Sequence, residues 1–177
     1  MINFRYVKFK NFLSTGNVLT EIKLDRSPNT LVIGENGAGK STMLDALCFS
    51  LFGKAFRKIK KPQLMNSVNM KDCLVEVGFQ IGSIDYKIIR GLKPHKFEIY
   101  IDDKLIDQTA SVRDYQEHLE KNILKLNFTS FTQIVILGSS TFVPFMQLPA
   151  NQRREIIEDL LDIKIFTAMN ILLKEKV

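Results

Sequence analysis

The chain has 177 residues, 45% of them hydrophobic and 25% charged, which is ordinary for a globular domain and excludes a disordered chain. Two cysteines are too few for a disulfide framework, no apolar run approaches the length of a membrane span, and Met1-Ile2-Asn3-Phe4-Arg5 lacks a signal-peptide core. A net charge of +6 with a pI near 9.3 favours polyanionic partners, although a lysine-rich soluble surface accounts for it as well.

In chain order, Ile2, Phe4 and Tyr6 alternate with polar residues and predict a half-buried strand over 2–9. Ser14, Thr15 and Gly16 mark a loop over 11–17. Residues 18–24 read as a second strand, and Ser27-Pro28-Asn29 turn the chain into an apolar run, Leu31-Val32-Ile33, read as a third. Gly34-Glu35-Asn36-Gly37-Ala38-Gly39-Lys40-Ser41 then fits G-x-x-x-x-G-K-[ST] without a mismatch. Past Thr42 the apolar residues take helical spacing at Leu44, Leu47, Cys48, Leu51 and Phe52, and Gly53 stands where a C-terminal cap is expected. Cys48 falls on the apolar face of that helix and reads as a buried thiol. Strand, glycine-rich turn and helix together separate a phosphate-binding loop from a chance match.

The chemistry needs these residue types at this spacing. The glycines let the backbone approach a ligand, so that loop N–H groups and the following helix N-terminus converge on phosphate oxygens. Gly34, Glu35, Asn36, Gly37, Ala38, Gly39, Lys40, Ser41 and Thr42 are therefore the candidate nucleotide-binding residues. Lys40 would reach the β- and γ-phosphates and is a candidate catalytic residue, and the Ser41 hydroxyl is a candidate Mg²⁺ ligand. A glycine-rich turn with an exposed lysine explains neither that hydroxyl nor the helix after it.

Lys54, Arg57, Lys58, Lys60 and Lys61 follow, with Phe56 and Ile59 between them and no acid. They fit a solvated loop or a track for a DNA backbone, and their place beside a nucleotide site favours DNA. Residues 73–107 read as a β-meander, with alternation at Val75, Val77, Phe79 and Ile81, then Ile84, Tyr86 and Ile88, then Phe97, Ile99 and Ile101. Its turns are expected at Gly82-Ser83, at 91–94 and at Asp102-Asp103. His95 and His118 have no Cys or His at ligand spacing, so no metal is expected there. Ser111 caps a helix expected to reach about residue 126, and residues 133–137 read as a buried strand. A polar loop, Gly138-Ser139-Ser140-Thr141, leads to Pro149 and to one long helix striped by Ile156, Leu160, Ile163, Phe166, Met169 and Leu173 up to Val177. A stripe that runs to the last residue suggests a lead into a coiled coil.

Lys10-Asn11-Phe12, the segment 33–47 and the segment 131–161 resemble the N-terminal part of SMC-like ATPases, the ATPase subunits of double-strand-break-repair nuclease complexes of the SbcC type. Leu51-Phe52-Gly53-Lys54, Gln63-Leu64, Asn66-Ser67 and residues 131–145 resemble in particular the branch found in tailed phages. The resemblance implies an α/β P-loop NTPase fold of the ABC/SMC type: the N-terminal lobe of a split head, with a mixed β-sheet, a β-meander and the start of a coiled-coil helix. On that basis residues 1–150 are the lobe and 151–177 the helix leading into the coiled coil. It further implies ATP and Mg²⁺ as cofactors, and as partners a C-terminal lobe of the same ATPase, a second head in an ATP-dependent dimer, a metallo-nuclease subunit and DNA. No membrane is expected among the partners, and the location implied is the cytoplasm, that of the host if a phage encodes the chain. No segment resembles the signature motif or the Walker B acid that a C-terminal lobe would carry. Two positions depart from the family: Leu13 stands where many relatives have arginine, and Ser139 stands in the register of a magnesium-contacting glutamine, which makes Ser139 a second candidate catalytic residue.

Three other readings compete. A transporter ATPase shares the loop but is normally a longer, complete domain without an emerging coiled coil. A GTPase would want Asn-Lys-x-Asp, and the nearest string, Asn69-Met70-Lys71-Asp72, has the wrong order. A structural, chromosome-organising SMC head has the same lobe, and only the short 142–149 segment argues against it.

Overall fold

In the computed structural model, which describes residues 2–107, 111–136, 143–161 and 163–174 apart from the side chains of Lys164, Thr167, Ala168 and Ile171, the alternating segments form one sheet. Its strands are β1 (Ile2–Lys10), β2 (Thr20–Lys23), β3 (Cys73–Ile81), β4 (Ile84–Leu92), β5 (Lys96–Ile101) and β6 (Lys104–Leu105). They lie in the order β2-β1-β3-β4-β5-β6, every neighbouring pair antiparallel. The chain divides into two units, Met1–Tyr115, which holds the sheet, and Gln116–Val177.

Period-two alternation gives the sheet an apolar face and a polar one. Val7, Phe9, Val75, Val77, Phe79, Ile88 and Ile99 are buried, and the helix after the phosphate loop, α1 (Thr42–Phe52), packs on β1, β3 and β4. Phe49 of α1 sits 5.5 Å from Phe12, which ties the loop after β1 to the helix. Gly53 ends α1 in the left-handed region (φ 68°), its N–H donating to Phe49 O. The last turn of α1 has no basic residue. Arg90 of β4 serves instead: buried, with its guanidinium 3.7 Å from the Phe97 ring, it donates from Nε to Ser50 O (3.0 Å). A cation thus meets the negative end of the helix dipole. Burial pushes the Cys48 and Cys73 thiols up to about 12, so both are inert at neutral pH.

On the polar face the Tyr6 ring sits over Gly78, where an added Cβ would stand 2.3 Å from the ring. The Tyr6 hydroxyl donates to Glu76 Oε1 (2.9 Å), and Lys8 Nζ sits 4.5 Å from the ring centroid. Gly78→Ala must push that ring off its partners and is expected to cost about 1–3 kcal/mol, read as a lower unfolding midpoint.

The second unit opens with the end of α2 (Val112–His118), which continues as a π-helical turn, Leu119–Leu124, and stops at Lys125 with φ 53°. Next come α3 (Phe128–Ile134), a short 3-10 turn (Phe145–Gln147), α4 (Ala150–Leu160) and α5 (Lys164–Lys174). Asn127 caps α3, its side chain accepting from Ser130 N (2.8 Å), and its Nδ2 donates to Glu155 Oε1 of α4 (2.7 Å). Ser130 Oγ donates to the buried Asp159 carboxylate, a second tie between α3 and α4.

Several expectations change. The meander and α1 stand, with β4 running on to Leu92 and β2 shorter than the 18–24 expected. The mixed sheet shows only antiparallel pairs among the described residues, because Leu31, Val32 and Ile33 pair with no strand and are 83%, 48% and 84% exposed. An unbroken apolar run suits a strand buried on both faces, and these residues have no paired strand among the described residues. The strand expected over 133–137 is not one: Gln133 and Ile134 close α3, whose N-terminus Asn127 fixes, and Leu137 lies outside the described residues. The single long helix expected after Pro149 is two, α4 and α5. α4 ends with Leu161 as its C-cap, and α5 begins at Lys164. Along α5, Ile165, Phe166, Met169, Leu172 and Leu173 are exposed, the stripe that a coiled-coil helix presents. No helix among the described residues is long and apolar enough to cross a membrane.

Candidate nucleotide site

The phosphate-loop residues come together as their spacing requires. Gly37 and Gly39 both have φ of 90°, a conformation that residues with a side chain rarely adopt, and a Cβ at Gly37 would meet nothing within 4 Å. Ala38 N donates to Glu35 O (3.2 Å) and Thr42 N to Gly39 O (2.9 Å), which rounds the loop onto the first turn of α1. Lys40 Nζ donates to Gly34 O (2.6 Å) and Glu35 O (2.8 Å), so the loop's own carbonyls anchor the ammonium. Ser41 is the N-cap of α1, yet its side chain makes no capping hydrogen bond, which leaves the hydroxyl available as a ligand. Thr42 is buried.

A cavity of about 380 Å³ opens beside the loop. The phosphate loop lines one side through Asn36, Gly37, Gly39, Lys40, Ser41 and Thr42, while Leu13, Ser14, Arg57 and Ile59 line the rest. Its volume and its mix of glycine backbone, one lysine and three small hydroxyl residues suit a phosphorylated nucleotide. No cluster of three metal-ligating side chains occurs among the described residues, so a cation here would rely on Ser41 and on the ligand's own oxygens.

The basic segment is partly spoken for. Lys54, Arg57, Lys58, Lys60 and Lys61 are all exposed, but Arg57 is committed. It donates from Nε to Asp45 Oδ2 (2.7 Å) and from its backbone N to Asp45 Oδ1 (3.0 Å), with Nη2 2.5 Å from Oδ2. Asp45, in the first turn of α1, is fully buried. The segment is therefore stapled to the phosphate-loop helix, and Arg57 faces the cavity as well as solvent. Burial, and then the nearby Arg90, lower the pKa of the Lys61 ammonium. Ser139 lies outside the described residues.

Sequence reasoning reached the rest of the cavity wall only in part. Leu13 stood out as a departure from the arginine of many relatives, but Ser14 and Ile59 carry no motif, and the Asp45–Arg57 pair spans twelve positions without a pattern to announce it. Arg57 was marked only by its place in a cationic run.

The model of the AAA domain family matches residues 6–176. Exonuclease subunit 2 of Escherichia phage RB69 is 44% identical over 171 residues, covering 97% of this chain and 30% of that protein. The protein of the same name from Enterobacteria phage T4 is 43% identical over 172 residues, covering 96% of the chain and 30% of its own length. A DNA double-strand break repair Rad50 ATPase of Thermoplasma volcanium is 28% identical, covering 96% and 19%. The chain thus spans about 30% of the length of its phage relatives. Among solved structures, an Smc head domain from Pyrococcus furiosus with an extended coiled coil, bound to the C-terminal domain of ScpA, aligns with a TM-score of 0.67 at 20% identity, over 99% of this chain and 46% of that one. A chain from work on ATP-driven dimerization and DNA-stimulated activation of SMC ATPases aligns at 0.61 and 20%, over 89% and 99%. At such identity the likeness shows the fold alone, that of the N-terminal lobe of an SMC-type head.

Proposed function

Since the chain belongs to the AAA domain family, we propose that it is the N-terminal lobe of an SMC-like ATPase, whose nucleotide state controls DNA-end processing by a partner nuclease in recombination and double-strand-break repair. The observation that carries this reading is the loop at 34–42, where two positive-φ glycines, an anchored lysine and an uncommitted serine hydroxyl meet at the N-terminus of α1. Loop N–H groups and Lys40 hold the phosphates, and Ser41 offers its oxygen to Mg²⁺. Bound Mg·ATP would supply the electrophilic phosphorus and the metal charge. Lys40 would stabilise charge on the transferring phosphoryl group, and Ser139 takes the register of the family's magnesium-contacting glutamine. The names of the phage and Thermoplasma relatives, an exonuclease subunit and a double-strand break repair ATPase, support the nuclease and repair roles. Residues 1–150 form the lobe in this reading, with 151–177 entering a coiled coil; the remaining partners are a C-terminal lobe, a second head, a metallo-nuclease and DNA.

Two measurements test it. Residues 1–177 carry no segment resembling the Walker B acid that would orient water, nor the partner's signature loop, so alone they are expected to turn over ATP hardly at all. Turnover near one per second (~1 s⁻¹) from this stretch alone, abolished by Lys40→Ala, would break the split-site reading.

The second concerns DNA. Lys54, Lys58, Lys60 and Lys61 offer point charges rather than bidentate base contacts, so binding should be independent of sequence and fall steeply with salt. In the whole protein, neutralising Lys58, Lys60 and Lys61 together is expected to flatten the log–log salt slope by about two to three units, at ~0.9 per phosphate contact, with ATP affinity near wild type. An unchanged slope would return the segment to a solvated loop.

A further inference from the structure

The loop that shares the cavity wall with the phosphate loop is held by an asparagine cluster that the proposed chemistry does not use. Residues 11–17 leave β1 along a strained path: Asn11 and Leu13 have φ of 50° and 52°, left-handed values that leucine adopts rarely. The segment 64–72 keeps them there. Leu13 N donates to Leu64 O (2.7 Å), and Phe12 pairs with Met65. Asn66, 9% exposed, does most of the holding. Its Nδ2 donates to Leu13 O and to Thr15 O, both at 3.1 Å, and so grips the carbonyls on either side of Ser14. Its Oδ1 accepts from Val68 N (2.9 Å) and Asn69 N (3.0 Å) and closes its own turn. Asn69 Nδ2 then donates to Asn11 Oδ1 (2.6 Å), and Asn11 Nδ2 donates to Asn17 Oδ1 (3.0 Å).

The two halves of the Asn66 amide have separate jobs. A turn-closing asparagine needs only its oxygen. Both N–H donors reach instead across more than fifty residues of sequence, to a stretch that shares the cavity wall with Lys40 and Ser41. We propose that Asn66 is a positioning residue of the nucleotide site. It fixes Leu13 and Ser14 as the rim against which the nucleoside end of the ligand packs, while the loop at 34–42 takes the phosphates. A rim held in place before binding need not be ordered on binding, and that saving appears as affinity for the whole nucleotide. The proposal rests on the nucleotide reading above.

Asn66→Asp separates the two halves. The aspartate keeps the acceptor bonds of its turn, loses both donors, and sets a carboxylate against two carbonyl oxygens. In the whole protein, ATP is expected to bind about fivefold or more weakly to this variant, while tripolyphosphate, which has no nucleoside, binds within about twofold of wild type. Asn69→Ala, which removes only the bond to Asn11, should move ATP affinity in the same direction by less. Lys40→Ala should weaken both ligands. If Lys40→Ala weakens neither, the nucleotide reading itself fails. If Lys40→Ala behaves as stated, the positioning proposal is overturned when Asn66→Asp leaves ATP binding unchanged or weakens ATP and tripolyphosphate alike. Loss of the cooperative unfolding transition in both asparagine variants would also overturn it, because the cluster would then be a folding element and no more.

Discussion

Arg57→Ala is expected to destabilise the fold by about 2–3 kcal/mol, far more than any other single truncation in the basic segment. The reason lies in Asp45, whose carboxylate is fully buried in the first turn of α1 and bonded by two guanidinium nitrogens and the backbone N–H of Arg57. Truncation removes the cation and leaves the carboxylate desolvated. Two features hold the loss below the usual cost of breaking a buried pair. The backbone N–H bond survives in the variant, and the Arg57 side chain is 44% exposed, so water screens part of the interaction. For a domain of this size the change corresponds to a fall of roughly 4–10 °C in unfolding midpoint. Lys58→Ala is the control, since an exposed lysine is expected to move stability by no more than about 0.5 kcal/mol. Equal midpoints for the two variants would mean that the Asp45–Arg57 contact contributes nothing. The pair also links the proposed chemistry to the proposed DNA surface, because a shift of α1 on nucleotide binding would pull directly on the segment that carries Lys54, Lys58, Lys60 and Lys61.

What was legible in the sequence was what is decided locally. Alternation placed β3, β5 and the start of β4, because a sheet with one buried face writes its register into period two, while β4 runs on past Ile88 to Leu92, into the turn expected at 91–94. The eight residues from Gly34 to Ser41 identified the loop because each backbone or side-chain requirement sits within one turn. Contacts between distant segments left no such trace. Leu31, Val32 and Ile33 read as a strand from their apolarity, but a strand also needs neighbours, and none among the described residues pairs with them. Residues 133–137 are as apolar as a buried strand, yet the asparagine cap six residues earlier starts a helix that takes in Gln133 and Ile134. Charge counting grouped Arg57 with its neighbours, although a buried acid twelve positions upstream had already claimed it. Asn66 looked like any loop asparagine, since its partners lie more than fifty positions away.

The central claim is that the loop at 34–42 binds Mg·ATP through its lysine, and calorimetric titration of wild type beside Lys40→Ala tests it most directly. Lys40 is the only cationic side chain in that loop, and its anchorage on Gly34 O and Glu35 O keeps the ammonium at the loop rather than in open solvent. Charge-assisted contacts to phosphate are worth ~1.5–3 kcal/mol. Saturable binding is expected for wild type, with affinity at least about tenfold lower in the variant. Equal affinity in the two proteins would contradict the assignment of residues 34–42 as the phosphate-binding loop.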